Sequence, residues 1–137
     1  MIYLDSNVFI YARVDKGEIG DLCRKIIQTI EGGKIAGITS FLAIDEIVWA
    51  VKKEISYKES IIYARRLINS EINFTDINIE DIMKSLDIME TGLQPRDAIH
   101  TATCLNHGIF SIITDDPDFK KVKELEVFTP MEFLEKK

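Results

Sequence analysis

Short apolar runs alternate along the chain with longer stretches in which apolar residues recur at helical spacing. The runs at 2–5 (I-Y-L-D), 35–39 (I-A-G-I-T), 72–75 (I-N-F-T), 109–113 (I-F-S-I-I) and 126–128 (E-V-F) read as strands. Helical periodicity fills 7–14, 19–31, 41–54, 57–69, 79–90, 95–107 and 130–136. This alternation predicts an α/β layered fold with a mostly parallel sheet. Several boundaries carry their own signal. Ser40 stands where it would cap a helix starting at Phe41, Gly32 and Gly33 follow the helix ending near Glu31, and Gly108 follows the helix that Pro95 opens. With no internal repeat, linker or low-complexity segment, the 137 residues predict one domain spanning 1–137.

Composition narrows the class. At 46% hydrophobic and 29% charged residues, with three Pro and seven Gly, the chain has the make-up of an ordinary globular protein. Its two cysteines, Cys23 and Cys104, lie far apart in apolar helical segments, which predicts buried free thiols in a reducing cytoplasm. The first strand begins at once, and no apolar run reaches membrane-spanning length, so a soluble cytoplasmic protein without membrane contact is expected. A net charge of −6 argues against a protein that coats nucleic acid by bulk electrostatics. Lys52 and Lys53, Arg65 and Arg66, and Lys120, Lys121 and Lys123 can still supply a local basic rim, although a solvated helix face explains each cluster singly.

The candidate chemistry lies in four acidic segments. Asp5 ends the first strand and precedes Ser6 and Asn7 at a strand-to-helix corner. Capping accounts for one of these three polar residues, leaving the others to ligate a metal or orient its waters. Glu46 lies in F-L-A-I-D-E-I-V-W-A-V, apolar at all but two adjacent positions, so the helix is expected to be largely packed in protein. Asp45 and Glu46 point about 100° apart, so one can reach water while the other is enclosed. An enclosed carboxylate must be protonated, paired with a Lys or Arg, or bound to a cation. Asp97 falls in the first turn of the helix opened by Pro95, where the helix dipole alone favours an acid. His100, one turn on, reads as a structural histidine rather than a ligand. In I-I-T-D-D-P-D-F, Asp115, Asp116 and Asp118 occupy a turn directly after a strand, and their mutual repulsion requires that most face water or that they share a cation.

Two of these segments mark strand carboxyl ends, where parallel α/β sheets collect ligands. The donors are all oxygen, and no His/Cys set has zinc spacing, so Mg²⁺ or Mn²⁺ is the natural occupant. Such ions serve hydrolysis of phosphodiesters.

The order L-D-S-N at 4–7, an acid at Glu46, P-R-D-A-I-H at 95–100 and T-D-D-P-D-F at 114–119 resembles the PIN-domain ribonucleases, and among them the VapC-type toxins of toxin–antitoxin pairs. The resemblance spans nearly the whole chain. It implies a three-layer, flavodoxin-like α/β/α sandwich and Mg²⁺- or Mn²⁺-dependent endonuclease activity on RNA. It assigns catalysis and metal binding to Asp5, Glu46, Asp97 and Asp116, with Asp115 and Asp118 as competitors for the last place. Asp118 would then support a second metal, while Ser6, Asn7 and Thr114 would hold waters or orient carboxylates. It also implies a small antitoxin partner and a homodimer. Phe41, Trp49, Tyr57 and Tyr63 offer an apolar groove, though aromatic residues at helical spacing are commonly core. The main rival is a PIN-like module that binds protein or RNA without cutting it. An aspartyl-phosphate phosphatase is disfavoured because position 7 is Asn, and a dinucleotide enzyme because no Gly-rich loop follows Asp5.

Overall fold

A computed structural model describes residues 1–136. Five strands, β1 (Ile2–Leu4), β2 (Gly37–Ser40), β3 (Asn73–Thr75), β4 (Ser111–Ile113) and β5 (Glu126–Phe128), form one sheet in the order β3-β2-β1-β4-β5. Every pairing is parallel. The helices are α1 (Ser6–Val14), α2 (Glu18–Glu31), α3 (Leu42–Glu54), α4 (Tyr57–Ile68), α5 (Ile79–Met89), α6 (Pro95–Asn106) and α7 (Pro130–Lys136).

Alternation along the buried strands sends side chains to two separate cores. Ile2, Leu4 and Ile113 pack with α1, α2, α3, α4 and Phe133 on one face. Tyr3, Ile38 and Ile112 pack with α5, α6 and the segment following β4 on the other. The result is the expected three-layer α/β/α sandwich, with strands apolar on both faces because both are covered. The winding reverses between β1 and β4, so the carboxyl ends of these two neighbouring strands open the crevice in which such folds bind ligands.

Local chemistry moved several boundaries. Ser40 is not a cap but the last residue of β2, in register with Thr75, and the next amide, Phe41 N, donates to Thr75 O at 3.0 Å. Ladder pairing therefore took the position that a cap would have used, and α3 starts at Leu42. The predicted strand at 109–113 begins only at Ser111, because Gly108 turns with φ 70° and Ile109 N closes onto Cys104 O at 3.1 Å. A five-residue 3₁₀ turn at Pro117–Lys121, capped by Asp116, was not anticipated.

Helix α3 is also less enclosed than its composition suggests. Its buried stripe is Ala43, Ile47 and Val51, whereas Trp49 remains 64% exposed. Its packing partners α1, α4 and β2 cover one side of the cylinder only. Of the four aromatic residues considered for a groove, Tyr63 is core, its hydroxyl donating to Phe9 O at 2.6 Å, while Phe41, Trp49 and Tyr57 are exposed.

Candidate active site at the β1/β4 carboxyl edge

Asp5 ends β1 and starts α1, and both its oxygens are engaged. Oδ1 accepts from Ser6 N at 2.8 Å, and Oδ2 accepts from the Thr114 hydroxyl at 2.7 Å. Asp5 is thus the helix cap and, at 4% exposure, a buried carboxylate as well. Burial pushes its pKa up, although His100 and the Thr114 hydrogen bond oppose the rise.

Thr114 joins the two strand ends. Besides donating to Asp5, its Oγ1 accepts from Asp116 N at 3.0 Å and from Asn7 Nδ2 at 3.2 Å. Asn7 Oδ1 in turn accepts from Asp115 N at 3.4 Å. The corner after β1 and the turn after β4 are therefore tied side chain to backbone, which fixes the path of the acidic turn.

Asp97 enters from the first turn of α6 and is half-buried. Its pKa is raised from 3.8 to about 7, first by burial and then by the charges of Asp5 and Asp116, with His100 opposing. Glu46 reaches the same region from α3. One of its oxygens sits 2.6 Å from His100 Nε2, and its side chain is 16% exposed while the histidine is fully buried. The far ring nitrogen, Nδ1, lies 2.7 Å from the Tyr3 hydroxyl. Burial alone would lower the His100 pKa, but the Glu46 hydrogen bond and the charges of Asp5, Glu46 and Asp97 outweigh it and raise it. The enclosed carboxylate of α3 was expected to pair with a Lys or Arg, or with a cation. Its protein partner is a histidine instead.

The cost of the crowded charge falls on Asp5 and Asp97. Asp97 feels Asp5, Asp116 and Glu46, and Asp5 feels Glu46, so the four acids from four chain segments share one field. Like-charged carboxylates held together in low dielectric resist ionising, and a positive charge placed among them relieves that resistance.

A family model for the PIN domain matches residues 2–125. The chain belongs to the PIN-domain family. It is 28% identical to Ribonuclease VapC2 of Methanocaldococcus jannaschii, over 92% of this chain and 91% of that one. Among solved structures it resembles VapC20 of Mycobacterium tuberculosis, described as a sarcin–ricin loop cleaving toxin, with a TM-score of 0.73 at 12% identity, over 88% of this chain and 93% of that one. It likewise resembles a chain of a toxin–antitoxin complex from Klebsiella pneumoniae, with a TM-score of 0.67 at 23% identity, covering 95% of this chain and 98% of that one.

Within this PIN domain the sequence-predicted residues divide into two groups. Asp5, Glu46, Asp97 and Asp116 meet at one edge, with Ser6, Asn7 and Thr114 around Asp5. Asp115 and Asp118 are exposed instead, Asp118 lying 3.9 Å from the Lys121 ammonium. Asp116 caps the 3₁₀ turn through Asp118 N at 2.9 Å, which sets it on the inner side of the turn. Among the described residues, no three His, Cys, Asp or Glu side chains already form a ready-made metal cluster. Sequence reasoning missed the link through His100 and Tyr3. The spacing of His100 three residues after Asp97 was the available signal, since it puts both on one helix face.

Proposed function

We propose that this PIN domain is a divalent-metal-dependent endoribonuclease and the toxin of a toxin–antitoxin pair. The observation that carries the reading is the shared field of Asp5, Glu46, Asp97 and Asp116 at the β1/β4 edge of a PIN-family chain. The ribonuclease name of the M. jannaschii relative supports RNA as substrate, and the K. pneumoniae complex supports a small antitoxin as partner.

The donor set fits Mg²⁺ or Mn²⁺ in its chemistry, being carboxylate oxygen throughout, with the Asp97 pKa raised to about 7 by burial and by the charges of Asp5 and Asp116. When bound, the ion would neutralise charge at the phosphate and acidify water in the site. Asp5 is the fixed member of the set, because Ser6 N and the Thr114 hydroxyl hold both its oxygens. Asp97 is the member that exchanges a proton near neutral pH and surrenders it on loading. Glu46 is oriented by His100, which leaves its second oxygen for the site. Ser6, Asn7 and Thr114 orient the carboxylates and the acidic turn, while Asp118 stands ready at its rim. We assign the whole span 1–137 to one domain, working in the cytoplasm as a homodimer.

The test is incubation of the purified chain and its Asp5→Asn variant with mixed single-stranded RNA and matched DNA, each with Mn²⁺, Mg²⁺ or EDTA. Metal-dependent cutting of RNA that vanishes in the variant is the expected result. A folded, antitoxin-free protein that cuts neither pool would move the chain to the class of PIN-like binding modules.

A further inference from the structure

A groove of about 340 Å³ runs outward from the acids, lined by Ser6, Ile10, Glu46, Trp49, Ala50 and Arg96, with Asp45 at its rim. It is continuous with the candidate site because Glu46 belongs to both. A larger cavity, about 650 Å³, lies away from the acids beside Arg13 and Arg24. There Arg13 binds Glu59 at 3.1 Å, and Arg24 is held by Asp21 and two backbone carbonyls, so both arginines are already engaged, and the lining carries no aromatic ring.

The Glu46 groove is different. On α3, Glu46, Trp49, Ala50 and Lys53 fall at i, i+3, i+4 and i+7, so one stripe carries an acid, an aromatic ring, a small residue and a cation. Trp49 is one turn from Glu46, roughly 5 Å along the helix axis. Its ring is largely exposed, and the Lys53 ammonium lies 5.1 Å from the ring centroid. Arg96 approaches from the start of α6, where its only ion pair among the described residues is a 3.6 Å contact with Asp45 between two well-exposed side chains. Such a pair is weak and readily exchanged for a phosphate, which guanidinium binds through two parallel hydrogen bonds.

We infer that this groove is a nucleotide subsite, in which the Trp49 indole stacks the base next to the reacting phosphate and Arg96 takes a flanking phosphate. The inference rests on the ribonuclease reading and extends it to how single-stranded RNA is gripped. Three features select RNA over a protein occupant. The groove's apolar floor is confined to Ile10, Trp49 and Ala50, which suits one flat ring rather than a run of side chains. Arg96 in the lining and Lys53 over the Trp49 ring set two cations beside the acids Asp45 and Glu46, so a phosphate finds partners at the groove's outer end, away from Glu46. Its inner end is the acidic edge where the phosphate must arrive. Stacking of a base on an aromatic side chain is worth roughly 5- to 150-fold in affinity, against about 2- to 5-fold for an exposed cation–π contact. A base therefore displaces Lys53 from the ring and leaves its ammonium for the backbone.

The chain contains a single tryptophan, so its fluorescence reports on this site alone. The experiment titrates the full chain carrying Asp97→Asn, which spares the RNA, with a mixed-sequence RNA decamer and an abasic strand of equal length. Cleavage by the unmodified chain with Mn²⁺ is measured in parallel. Expected results are saturable quenching by RNA and little change with the abasic strand. Further substitution Trp49→Ala should weaken RNA binding about 5- to 100-fold, read with labelled RNA, while Trp49→Phe recovers most of it. Arg96→Ala should weaken both strands alike. RNA that is cut, and that binds with equal affinity to the Trp49→Ala chain, overturns the subsite and spares the ribonuclease reading; RNA neither cut nor bound overturns both. A concentration-dependent shift of Trp49 emission without RNA, the RNA itself being silent, overturns the nucleotide assignment in favour of a protein occupant.

Discussion

Replacing Asp97 by Asn should stabilise the metal-free protein, and the gain should depend on pH. In the folded chain the Asp97 carboxyl titrates near 7 instead of 3.8, first through burial and then through the charges of Asp5 and Asp116. Between those two values the native state holds a proton that the unfolded chain has released, so folding stability falls as pH rises through the window. The full gap corresponds to at most about 4 kcal/mol at ~1.4 kcal/mol per pH unit. Asp97 keeps partial contact with solvent, and screening reduces the realised cost to about 1–2 kcal/mol. Asn keeps the shape and removes the charge. The variant should therefore match the parent near pH 4 and exceed it by that amount at pH 8. For a chain of this size each kcal/mol moves the melting temperature by roughly 3–5 °C. Thermal melts of both proteins in EDTA at several pH values between 4 and 8 provide the measurement. A variant no more stable than the parent at pH 8, or one equally stabilised at every pH, would refute the reasoning.

Three further outcomes follow from the same geometry. Adding Mn²⁺ or Mg²⁺ should raise the melting temperature of the parent, by ~2.7 kcal/mol of stability at a hundred times the dissociation constant, and should do so far less for Asp5→Asn; a melt indifferent to millimolar metal would argue against the metal assignment. Thr114→Val should cost about 1–3 kcal/mol in chemical denaturation, because it strips Asp5 Oδ2 of its hydroxyl donor and leaves Asp116 N and Asn7 without their acceptor; a loss below a few tenths would show that water replaces the hydroxyl. Tyr3→Phe should cost about 1 kcal/mol by leaving His100 Nδ1 unpartnered in a dry core, and an unchanged denaturation midpoint would contradict the hydrogen-bonded chain from Tyr3 to Glu46.

The layered fold was legible because its signals are local and repeated. Strands apolar on both faces, helices with one apolar stripe, and Gly or Pro at their ends all act within a few residues. Ser40 shows where this fails. Nothing within four residues reveals that its backbone is claimed by Thr75, thirty-five positions on, so a good capping residue became a strand end. The four acids were found because each sits at a local boundary or in an apolar helix, places where a carboxylate needs a reason. Their arrangement was not legible. That Asp118 turns outward to Lys121 while Asp116 turns inward depends on a 3₁₀ turn that the sequence pattern did not announce. The Tyr3–His100–Glu46 contact joins a strand and two helices separated by up to 97 positions, a distance at which periodicity carries no information.

The strap from Thr114 to Asp5 also has a consequence for the order in which the acids are set as the chain is made. Asp5, Glu46 and Asp97 all precede the hydroxyl that holds Asp5 and the turn that carries Asp116, which belong to residues 114–116. Strand β1 lies at the middle of the sheet, and until β4 docks beside it one flank of its carboxyl end is bare. A site built in this order stays incomplete until β4 and the turn after it have been made. A chain broken before Thr114 would hold three of the acids and no means of setting them.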